Sequence, residues 1–424
     1  MKIKQQQPTI ALDSLGCKLN QAEMGILFRQ LSDWGCRLVP PSQAADLYIL
    51  NTCTVTHIAD RKTRQKLRGY RRLNPNARVV AVGCYAERAP DELKKLEGVD
   101  LVIGNDEKVR IPRILENSGY LQQGMETPYS HLHEESRRTR AFLKVQEGCR
   151  NFCAYCIVPH VRHRPASVPV KSILEEIKQR VAEGFKEIVI TGTEIGQYYS
   201  DGIDLSGLIE RILAEAGVAR LRLSSLQPSE VTSGLINLWH DPRLCPHFHL
   251  SLQSGSDSVL DRMNRRYCTG DYRQTVNLIR EVVPDAAVTT DVIVGFPGES
   301  DDEFRETLDF CREMQFARIH VFPYSSRPGT AAAGMPGTVS ATIKKERGQR
   351  MLALAKASSQ SFIERFIGRT TEVLFEQESG GLWSGLTGNY IRVYLKNGSD
   401  LTNQILPVAL SKPYKGGISE ELEV

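Results

Sequence analysis

Three cysteines stand close together in the segment EGCRNFCAYCIVP, which spans residues 147–159. Cys149, Cys153 and Cys156 form a C-x3-C-x2-C array within it. Thiolates are soft ligands that bind zinc or iron–sulfur clusters, and this spacing lets all three sulfur atoms reach one face of a compact metal centre. A four-iron cluster held by only three thiolates keeps one iron free of protein ligands. The array therefore predicts a metal centre with an open iron that can bind a substrate.

A structural zinc site is the alternative for the same array. His160 follows Cys156 by four positions, so three cysteines and one histidine could hold a zinc ion. Against zinc, the array comes directly after a predicted barrel strand, and barrel enzymes carry their reactive groups at the carboxyl ends of strands. The spacing alone leaves both kinds of site open.

Three further cysteines each follow a segment that is predicted to be a strand. Cys17 comes after PTIALDSLG, Cys53 after DLYILNT and Cys84 after ARVVAVG. Helical patterns separate these segments, which predicts a mostly parallel, Rossmann-like sheet. Because the carboxyl ends of parallel strands meet in one crevice, three thiols that are distant in sequence can converge there. The alternative is that Cys53 and Cys84 are core residues at strand ends.

The use of cysteine also bears on the compartment. The first residues, MKIKQQQPTIAL, have glutamines and a proline where a signal peptide has an apolar run, so we expect a cytoplasmic protein without a membrane anchor. In that reducing compartment, ten cysteines favour metal binding or catalysis over disulfides. Four of them stand alone in ordinary segments and are expected to be small buried apolar residues. These are Cys36, Cys245, Cys268 and Cys311.

The elements that position these cysteines fall into three predicted domains of an α/β protein. A chain of 424 residues is too long for one core. Residues 1–120 predict the parallel sheet, and residues 137–360 contain six strand-like segments separated by helices, which is typical of a partial (βα)6 TIM-type barrel. Residues 361–424 change to short alternating runs, as expected for a small antiparallel β-barrel. The stretch from about Asn117 to Ser136 is expected to be a linker.

A basic helix predicts an RNA partner. The segment RKTRQKLRGYRR, residues 61–72, has seven basic residues and no acidic one. On a helix, Arg61, Arg64, Arg68 and Arg71 fall at i, i+3, i+7 and i+10, so they share one face that could follow RNA phosphates. A solvated helix surface is the alternative. The net charge of the chain is only +4, so RNA binding would depend on local patches of this kind.

Other basic and aromatic residues could extend this RNA surface. The basic candidates are Arg137, Arg138, Arg140, Arg162, Arg164, Arg262, Arg265 and Arg266. In the last domain the candidates are Trp383, Tyr390, Arg392 and Tyr394, with core or edge packing as the alternative.

The array at 149–156, with Tyr155 before its last cysteine and a barrel strand before its first, resembles the radical S-adenosylmethionine enzymes. Several segments extend the resemblance over nearly the whole chain to one family, the methylthiotransferases. They are LGCKLNQAE, NTCTVT, VAVGCYAER, HLSLQSGSDSVLDRMNRRY, DVIVGFPGE and FPYSSRPGTAAA. That family joins an N-terminal three-cysteine domain to a radical barrel and a C-terminal TRAM barrel, which agrees with the three predicted domains.

The resemblance implies two [4Fe-4S] clusters and S-adenosylmethionine as cofactors. The cysteines at 149–156 would hold the cluster whose open iron chelates S-adenosylmethionine and whose electron generates a 5'-deoxyadenosyl radical. Cys17, Cys53 and Cys84 would hold the second cluster, from which a methylated sulfur is delivered. All six cysteines would thus be metal ligands with a catalytic role.

Residues on loops at the barrel strand ends are expected to contact S-adenosylmethionine. They are Tyr155, Gly192, Thr193, Glu194, Ser251 and Gln253. Glu194 offers a carboxylate that could receive the ammonium of the methionine moiety. Ser251 and Gln253 could reach its ribose or carboxylate, with ordinary barrel packing as the alternative.

The segments GCKLNQ and NTCTVT most resemble tRNA enzymes that add a methylthio group to C2 of N6-threonylcarbamoyladenosine beside the anticodon. We therefore expect a transferase with two partners, a tRNA anticodon stem-loop and an electron donor such as flavodoxin or ferredoxin, and a monomeric chain. Methylthiolation of isopentenyladenosine or of a ribosomal-protein aspartate, and a zinc-containing RNA-binding protein without activity, are the alternatives. The chain departs from the family at His160 and His163, where Tyr and Gly are more usual.

Overall fold

The computed structural model describes residues 8–121 and 139–420. A parallel sheet is followed by a second parallel region and then by a mostly antiparallel sheet. The predicted α/β class, with parallel sheets and a C-terminal antiparallel sheet, is confirmed. Within the described ranges, none of the helices combines the length and the apolar composition that a membrane crossing requires.

The first sheet has the strand order β2-β1-β3-β4-β5, and all its pairs are parallel. Its strands are β1 (Thr9–Ser14), β2 (Arg37–Val39), β3 (Leu47–Thr52), β4 (Arg78–Gly83) and β5 (Leu101–Ile103). In a sheet of this order the direction of winding reverses between β1 and β3, and ligands bind at the carboxyl edge there. Sequence reasoning missed β2, which has only three residues.

Helices cover both faces of this sheet. They are α1 (Lys18–Asp33), α2 (His57–Leu73), α3 (Cys84–Arg88), α4 (Pro90–Lys94) and α5 (Ile111–Asn117). One apolar cluster joins the sheet to α2 and α4 through Leu67 and Leu93, and another joins the opposite face to α1 and α5 through Leu27 and Leu115. The basic segment 61–72 is helical, as predicted, and α2 begins at Thr56, whose hydroxyl accepts the Ala59 N–H at 3.2 Å.

The second region contains the six predicted barrel strands, and their neighbouring pairs are parallel. Its strands are β6 (Arg140–Lys144), β7 (Gln146–Glu147), β8 (Ala166–Ser167), β9 (Glu187–Thr191), β10 (Tyr199–Ser200), β11 (Ile203–Asp204), β12 (Arg220–Leu223), β13 (Ser225–Leu226), β14 (His247–Leu250), β15 (Ala287–Val294) and β16 (Arg318–Pro323). They form one sheet of order β12-β9-β6 and another of order β13-β14-β15-β16. Since β13 continues β12 after Ser224, the two sheets follow one another along the chain.

Helices pack on one face of these strands, and polar residues line the other. The helices are α6 (Val158–Val161), α7 (Val170–Ala182), α8 (Leu205–Glu215), α9 (Ser233–Asn237), α10 (Asp257–Arg262), α11 (Thr269–Val282), α12 (Asp301–Met314) and α13 (Ala341–Glu364). On β14, Phe248 and Leu250 belong to the large apolar core, whereas His247 and His249 alternate with them. Because successive side chains of a strand point to opposite faces, the face away from this core is polar.

The last region is a six-stranded sheet of order β20-β17-β18-β19-β22-β21. Its strands are β17 (Thr370–Ser379), β18 (Leu382–Thr387), β19 (Arg392–Lys396), β20 (Ile405–Ala409), β21 (Lys412–Tyr414) and β22 (Gly417–Ser419). Four of its pairs are antiparallel, but β19 and β22 pair in parallel. Sequence reasoning missed β21 and β22, which have only three residues each.

Candidate active site

The three N-terminal cysteines lie at the carboxyl edge of the first sheet. Cys17 follows β1, Cys53 directly follows β3, and Cys84 directly follows β4, and these three strands are neighbours. Gly16 has a φ of +105°, and a Cβ atom there would lie 2.7 Å from Cβ and 2.9 Å from Sγ of Cys53. Glycine is therefore required where the chain brings Cys17 beside Cys53. We call these three cysteines the N-terminal trio.

The thiols of the N-terminal trio interact electrostatically. Burial raises the pKa of Cys53 to about 12, and the neighbouring Cys84 and Cys17 add to this rise. Burial also raises the pKa of Cys17, against the opposing effect of the Arg162 cation. Such thiols keep their protons at neutral pH until a metal cation takes the place of the proton. Three coupled thiols are therefore a suitable donor set for a cluster.

The second group, which we call the barrel trio, consists of Cys149, Cys153 and Cys156 in the loop between β7 and α6. The strands β7 and β8 pair at the base of this loop. Gly148 has a φ of +78°, and a Cβ atom there would lie only 2.6 Å from the backbone of Pro165. Glycine thus lets the loop return close to its own start.

The thiols of the barrel trio are also close to one another and to charged groups. Burial raises the pKa of Cys149 and of Cys156 to about 12, with Cys156 acting on Cys149 and Cys153 acting on Cys156. The Cys149 thiol donates to Glu194 Oε2 at 3.2 Å, and Arg265 Nη1 donates to Cys153 Sγ at 3.2 Å. A cation beside the sulfur atoms favours thiolate, the form that binds metal.

Neither trio has the spacing of a single-ion site. Four ligands around one zinc ion would bring their sulfur atoms to within roughly 4 Å of one another, since a Zn–S bond is about 2.3 Å long. Across residues 8–121 and 139–420, the one group of three metal-ligating side chains whose ligand atoms all lie within 4.8 Å is His249, Asp291 and His320. His160, the fourth ligand of the zinc alternative, is exposed and packs edge-on against Phe152. This geometry favours a larger, multi-iron centre over zinc.

A buried arginine next to the N-terminal trio has unused donors. Arg327 is only 1% exposed, and its Nη2 donates to Thr54 Oγ1 at 3.0 Å and to Asp60 Oδ2 at 2.5 Å. Thr54 directly follows Cys53. The Nε and Nη1 atoms of Arg327 have no hydrogen-bond partner in the described protein. Hydrogen bonds to cluster sulfur atoms tune such centres, so these donors fit a cluster at the N-terminal trio.

A small apolar contact joins the surroundings of the two trios. Cys84 packs against Ile157 and Val161, and Ile157 directly follows Cys156. Asn105 fixes this junction, because its Nδ2 donates to the Val161 carbonyl at 2.6 Å and lies 3.7 Å from Cys84 Sγ. The loop that carries the barrel trio therefore contacts the edge of the first sheet at Cys84.

Arg162 connects the two regions through a buried ionic network. It is 4% exposed and donates to Glu23 Oε1 at 2.7 Å and Oε2 at 3.0 Å. It also donates to Glu147 Oε1 at 2.8 Å and to Asn20 Oδ1 at 3.0 Å. Burial acts to raise the pKa of Glu23, but the cations of Lys108 and Arg162 outweigh it and hold that pKa well below its usual range. Glu23 is thus a permanent carboxylate between the trios.

A cavity of about 480 Å³ opens beside Cys149. Glu194 lines it, and its carboxylate accepts Gln227 Nε2 at 2.6 Å. The backbone N–H groups of Thr193 and Glu194 donate to Gln146 Oε1 at 3.1 and 2.8 Å, while the Thr193 hydroxyl is buried without a partner. The volume is typical of a small-molecule site.

Gly192 lies behind the cavity wall, and Glu230 is part of that wall. Gly192 packs against Gln146, since a Cβ atom at 192 would lie 2.8 Å from the Gln146 carbonyl oxygen. Glu230 lines the cavity, and burial raises its pKa to about 7. The cavity therefore holds one fixed hydrogen-bonded carboxylate and one carboxyl group that can carry a proton near neutrality.

The remaining predicted cofactor contacts lie outside this cavity but close to the barrel trio. The Ser251 carbonyl accepts Arg265 Nη2 at 3.4 Å, and the same guanidinium reaches Cys153. Gln253 is 8% exposed and has a φ of +70°, a backbone region that is strained for a residue other than glycine. Tyr155 packs against an apolar cluster that includes Met263.

Two family models match the chain. The model of the radical SAM superfamily matches residues 143–311, and the model described as Uncharacterized protein family UPF0004 matches residues 9–104. The threonylcarbamoyladenosine tRNA methylthiotransferase of Bacillus subtilis is 35% identical over 96% of this chain and 96% of its own. The enzyme of that name from Aquifex aeolicus is 38% identical over 91% of this chain and 96% of its own. The chain belongs to the radical S-adenosylmethionine methylthiotransferase family.

Membership of this family makes the chain a transferase and implies S-adenosylmethionine and a [4Fe-4S] cluster as cofactors. The tRNA-2-methylthio-N(6)-dimethylallyladenosine synthase of Endomicrobium trichonymphae is a more distant relative, 31% identical over 90% of this chain and 92% of its own. Among solved structures, the radical S-adenosylmethionine methyltransferase TsrM from Kitasatospora setae has a TM-score of 0.56 over 77% of this chain and 74% of its own. At 15% identity that likeness shows the fold alone.

The arginine face of α2 is only partly free to bind a ligand. An open groove runs along it, lined by Arg61, Arg64, Arg68 and Arg71 together with Arg72. Two of these side chains have partners within the protein. Arg71 Nη2 donates to both carboxylate oxygens of Asp100 at 2.9 Å, and Arg64 Nη1 donates to the Tyr85 hydroxyl at 2.6 Å. Arg61, Arg68 and Arg72 are exposed and unpaired within the described protein.

Several other basic candidates are not on the surface track that was predicted. Arg162 is buried in the ionic network, and Arg265 lies against Cys153. Arg262 Nη2 pairs with Glu303 Oε2 at 2.8 Å and Arg140 Nη2 with Glu376 Oε1 at 2.8 Å. Arg164 is exposed and lies 3.1 Å from Asp106, and Arg266 is exposed at the rim of the 480 Å³ cavity. Arg137 and Arg138 lie outside the described residues.

Among the C-terminal candidates for RNA binding and the lone cysteines, some lie where the sequence predicted and others do not. Trp383 is 6% exposed and belongs to the core of the last sheet, so core packing, the alternative, holds for it. Tyr390, Arg392 and Tyr394 are half-buried and line a second cavity, described below. Cys36, Cys245 and Cys311 are buried as predicted, but the prediction was wrong for Cys268, which is exposed and caps α11.

Sequence reasoning did not assign the residues that connect the trios to their surroundings. Arg162 and Arg265 were predicted to bind RNA, and Arg327 and Glu23 received no role. A single arginine or glutamate carries no periodic signal, and its partners lie in other domains. Only the three-dimensional arrangement identifies such residues.

Proposed function

We propose that the chain is a tRNA methylthiotransferase that adds a methylthio group to C2 of N6-threonylcarbamoyladenosine beside the anticodon. The observation that carries this proposal is the contact between Cys84 of the N-terminal trio and Ile157, which directly follows Cys156 of the barrel trio. Two cysteine trios joined by this contact provide one site for making a radical and one site for supplying sulfur. The relatives named for threonylcarbamoyladenosine, at 35% and 38% identity, support this substrate over the dimethylallyl compound.

The barrel trio would hold the cluster that the family implies, and the N-terminal trio would hold a second [4Fe-4S] cluster. When bound, S-adenosylmethionine and the first cluster supply a carbon-centred radical, and the second cluster supplies sulfur. Arg265 holds Cys153 with a charged hydrogen bond, which orients that sulfur atom. Arg327 presents its unpartnered N–H groups close to Cys53, where they would donate hydrogen bonds to the sulfur atoms of a cluster.

The 480 Å³ cavity would bind S-adenosylmethionine. The Glu194 carboxylate, which lies between Cys149 and Gln227, is placed to receive the ammonium of the methionine moiety. Gly192 and Thr193 would hold this loop in place behind the cavity through their contacts with Gln146. Tyr155, Ser251 and Gln253 would form the opposite side of the cofactor site. The apolar contact around Ile157 keeps water from the junction, which protects a radical from side reactions.

Finer features of the architecture belong to the same proposal. Residues 1–120 would form the methylthiotransferase domain, residues 137–360 a partial (βα)6 radical barrel, and residues 361–424 a TRAM barrel that binds RNA. The tRNA anticodon stem-loop would bind along the free arginines of α2, which are Arg61, Arg68 and Arg72. A cytoplasmic location, a monomeric chain and an electron donor such as flavodoxin or ferredoxin complete the proposal.

The proposal is tested with the anaerobically reconstituted full-length chain, S-adenosylmethionine and a chemical reductant. Three substrates are offered separately: an anticodon stem-loop with N6-threonylcarbamoyladenosine, the same stem-loop with isopentenyladenosine, and the aspartate-bearing ribosomal protein. Mass spectrometry of nucleosides and peptides should show a methylthio group on the first substrate only. A product on either of the other two would replace the proposed substrate.

A further inference from the structure

A second cavity, of about 490 Å³, lies where the three regions of the chain meet. Lys18 of α1 contributes from the first region, and His249 and Arg318 contribute from β14 and β16. Tyr390 and Arg392 close it from the last sheet. Lys18 directly follows Cys17, so this cavity begins one residue from the N-terminal trio. Its role is not explained by cofactor binding at the barrel trio.

The wall of this cavity is strongly cationic. Among the described residues that line it, none is an aspartate or a glutamate. The cationic residues in the lining are Lys18, Arg140, Arg318, Arg392 and Lys415. Arg140 is neutralised by Glu376 at 2.8 Å, but Lys18, Arg318 and Arg392 form no ion pair within the described protein. The cavity therefore has a surplus of positive charge.

Lys18 shows this surplus most clearly. The Tyr390 ring lies 3.5 Å from the Arg222 guanidinium, 5.7 Å from that of Arg140 and 5.9 Å from the Lys18 ammonium. Glu187 neutralises Arg222 through two hydrogen bonds of 2.7 and 3.1 Å. Three cations thus surround one ring, and Lys18 is the one that lacks a carboxylate. A largely buried charge without a counter-ion is costly, and an anionic ligand would supply the counter-ion.

The adjoining histidines point to an anion rather than a metal ion. His320 Nδ1 lies 3.1 Å from Asp291 Oδ1, and His249 Nε2 lies 3.4 Å from Asp291 Oδ2. The single carboxylate is therefore shared by two imidazoles. A divalent cation would also face the unpaired charges of Lys18 and Arg318 and would be repelled by them. His320 keeps its Nε2 atom available to a ligand.

We propose that this cavity binds the carboxylate of the threonylcarbamoyl group, with Lys18 and Arg318 as its cationic partners. The proposal rests on the proposed function and deepens it, since the threonine moiety carries a free carboxylate at neutral pH. The place is suitable, because Lys18 adjoins Cys17, and the Asp291 carbonyl accepts the Gln253 N–H at 2.8 Å near the radical site. An adenine held between the trios can extend its N6 substituent into the cavity.

This pocket would also give specificity against a neutral substituent. A dimethylallyl group has no charge, so its binding would leave Lys18 unpaired and further desolvated. A site that excludes a competitor by leaving a buried charge unsatisfied discriminates more strongly than one that relies on contacts alone. A backbone phosphate of the RNA is the other possible source of an anion here, and the two sources make different predictions.

The test compares binding of three stem-loop RNAs of one sequence to the reconstituted full-length chain. The adenosine beside the anticodon is N6-threonylcarbamoyladenosine, its methyl ester, or unmodified adenosine. We expect the free acid to bind about tenfold to a hundredfold more tightly than the ester, because charged hydrogen bonds are lost with the ester. Lys18→Met and Arg318→Gln should each bring this ratio towards one without weakening binding of the unmodified RNA. Lys18→Arg should retain most of the preference.

The controls separate a folding defect and a phosphate site from the proposed role. Lys345→Met removes an exposed lysine of α13, about 21 Å along the helix from Ser359 in the cavity wall, and should leave the ratio unchanged. Thermal melting checks that each variant is folded, and Arg318 is exposed, so its replacement should be well tolerated. Equal weakening of all three RNAs would assign the cavity to a phosphate and overturn the proposal.

Failure of this inference is distinguishable from failure of the proposed function. A ratio near one in the unsubstituted protein, or an unchanged ratio in both variants, overturns the pocket assignment. If the methylthio product of the free acid still forms in that case, the proposed function stands. If isopentenyladenosine is converted instead, the proposed function fails, whatever the binding ratio.

Discussion

The two cysteine trios differ in how the chain assembles them. The barrel trio lies within residues 149–156, on one loop whose base is closed by a two-residue strand pair. The N-terminal trio comes from three strand ends between residues 17 and 84, and it exists only when β1, β3 and β4 lie side by side. One site is thus local in the chain and the other depends on the tertiary fold. The two sites should therefore differ in their chemical roles and in how readily a substitution elsewhere in the protein disturbs them.

The contact between the trios makes the second site depend on the first. Cys84 of the N-terminal trio packs against Val161 of α6, and the buried Arg162, which directly follows α6, is held by Glu23 of the first region. A change at this junction should therefore disturb the assembled site before it disturbs the local loop. Five predictions follow the comparison from its largest consequence to its smallest.

Replacing one cysteine in each trio should separate two activities. We expect Cys156→Ala to abolish both reductive cleavage of S-adenosylmethionine and product formation, because the local loop loses its cluster. Cys84→Ala should abolish product formation and retain cleavage, because only sulfur supply is lost. Each variant should bind about half of the iron of the unsubstituted protein, since each trio would hold one cluster. The measurements are 5'-deoxyadenosine, methylthiolated nucleoside and iron content.

Cys245→Ala is the matched control, since this buried cysteine belongs to neither trio. It should keep both activities and the full iron content. Loss of cleavage in Cys84→Ala, at the same level as in Cys156→Ala, would show that the two sites are not separate in function.

Removing the arginine at the junction should destabilise the assembled site. Arg162→Met leaves the buried Glu23 and Glu147 carboxylates without their main cation, and breaking a buried pair in this way costs about 3–5 kcal/mol. Denaturant unfolding of the full-length chain measures this change. The variant should also lose iron from the N-terminal trio first, so cleavage should outlast product formation. Arg164→Met, an exposed pair with Asp106, should cost less than about 1 kcal/mol.

The same junction should respond to acid. The pKa of Glu23 lies below its usual range, so its contribution to the free energy of unfolding is complete above the unfolded pKa of about 4.3. That contribution is lost as pH falls towards the folded pKa. The stability difference between the unsubstituted protein and Glu23→Gln should therefore shrink as pH falls below about 4. A stability difference that does not change with pH would show that the charge of Glu23 does not contribute to the ionic network.

The arginines of α2 should differ in their contribution to RNA binding, depending on whether a carboxylate of the protein already holds them. Each of Arg61→Gln, Arg68→Gln and Arg72→Gln should lower the slope of log affinity against log salt by about 0.9 or less if the side chain contacts a phosphate. Arg71→Gln is the matched control, because Asp100 already holds Arg71 at 2.9 Å. Its slope should stay unchanged, and only stability should fall. If all four variants keep the salt slope of the unsubstituted protein, the RNA does not bind along this helix face.

The same contrast between local and assembled features explains what the sequence could predict. The spacing within residues 149–156 and the helix over 61–72 are local patterns, and both were located correctly. The alternation of strands and helices also predicted that Cys17, Cys53 and Cys84 follow strands of one parallel sheet. It could not give the strand order, which places Cys17 and Cys53 on either side of the reversal between β1 and β3.

Partners that are distant in the chain could not be predicted from local patterns. Arg71 has the same helical spacing as Arg68, yet Asp100 lies within reach of only one of them. The sequence around Arg162 predicts a surface residue. In the structure Arg162 is buried, where it pairs with Glu23, which is distant in the chain. The free energy of such a pair depends on burial and geometry, and neither is encoded in the spacing of one segment.

The smallest predicted effect concerns the strained backbone near the barrel trio. Gln253 and Gln315 both have left-handed backbones, with φ of +70° and +45°, but Gln253 is buried near the cofactor site and Gln315 is exposed at the end of α12. Gln315→Gly should raise stability by about 1 kcal/mol, because glycine adopts this conformation without strain. Gln253→Gly should gain the same relief but lose buried side-chain contacts, so its stability should change little while its affinity for S-adenosylmethionine falls severalfold. Unchanged cofactor affinity in Gln253→Gly would show that the strain serves barrel packing and not the cofactor.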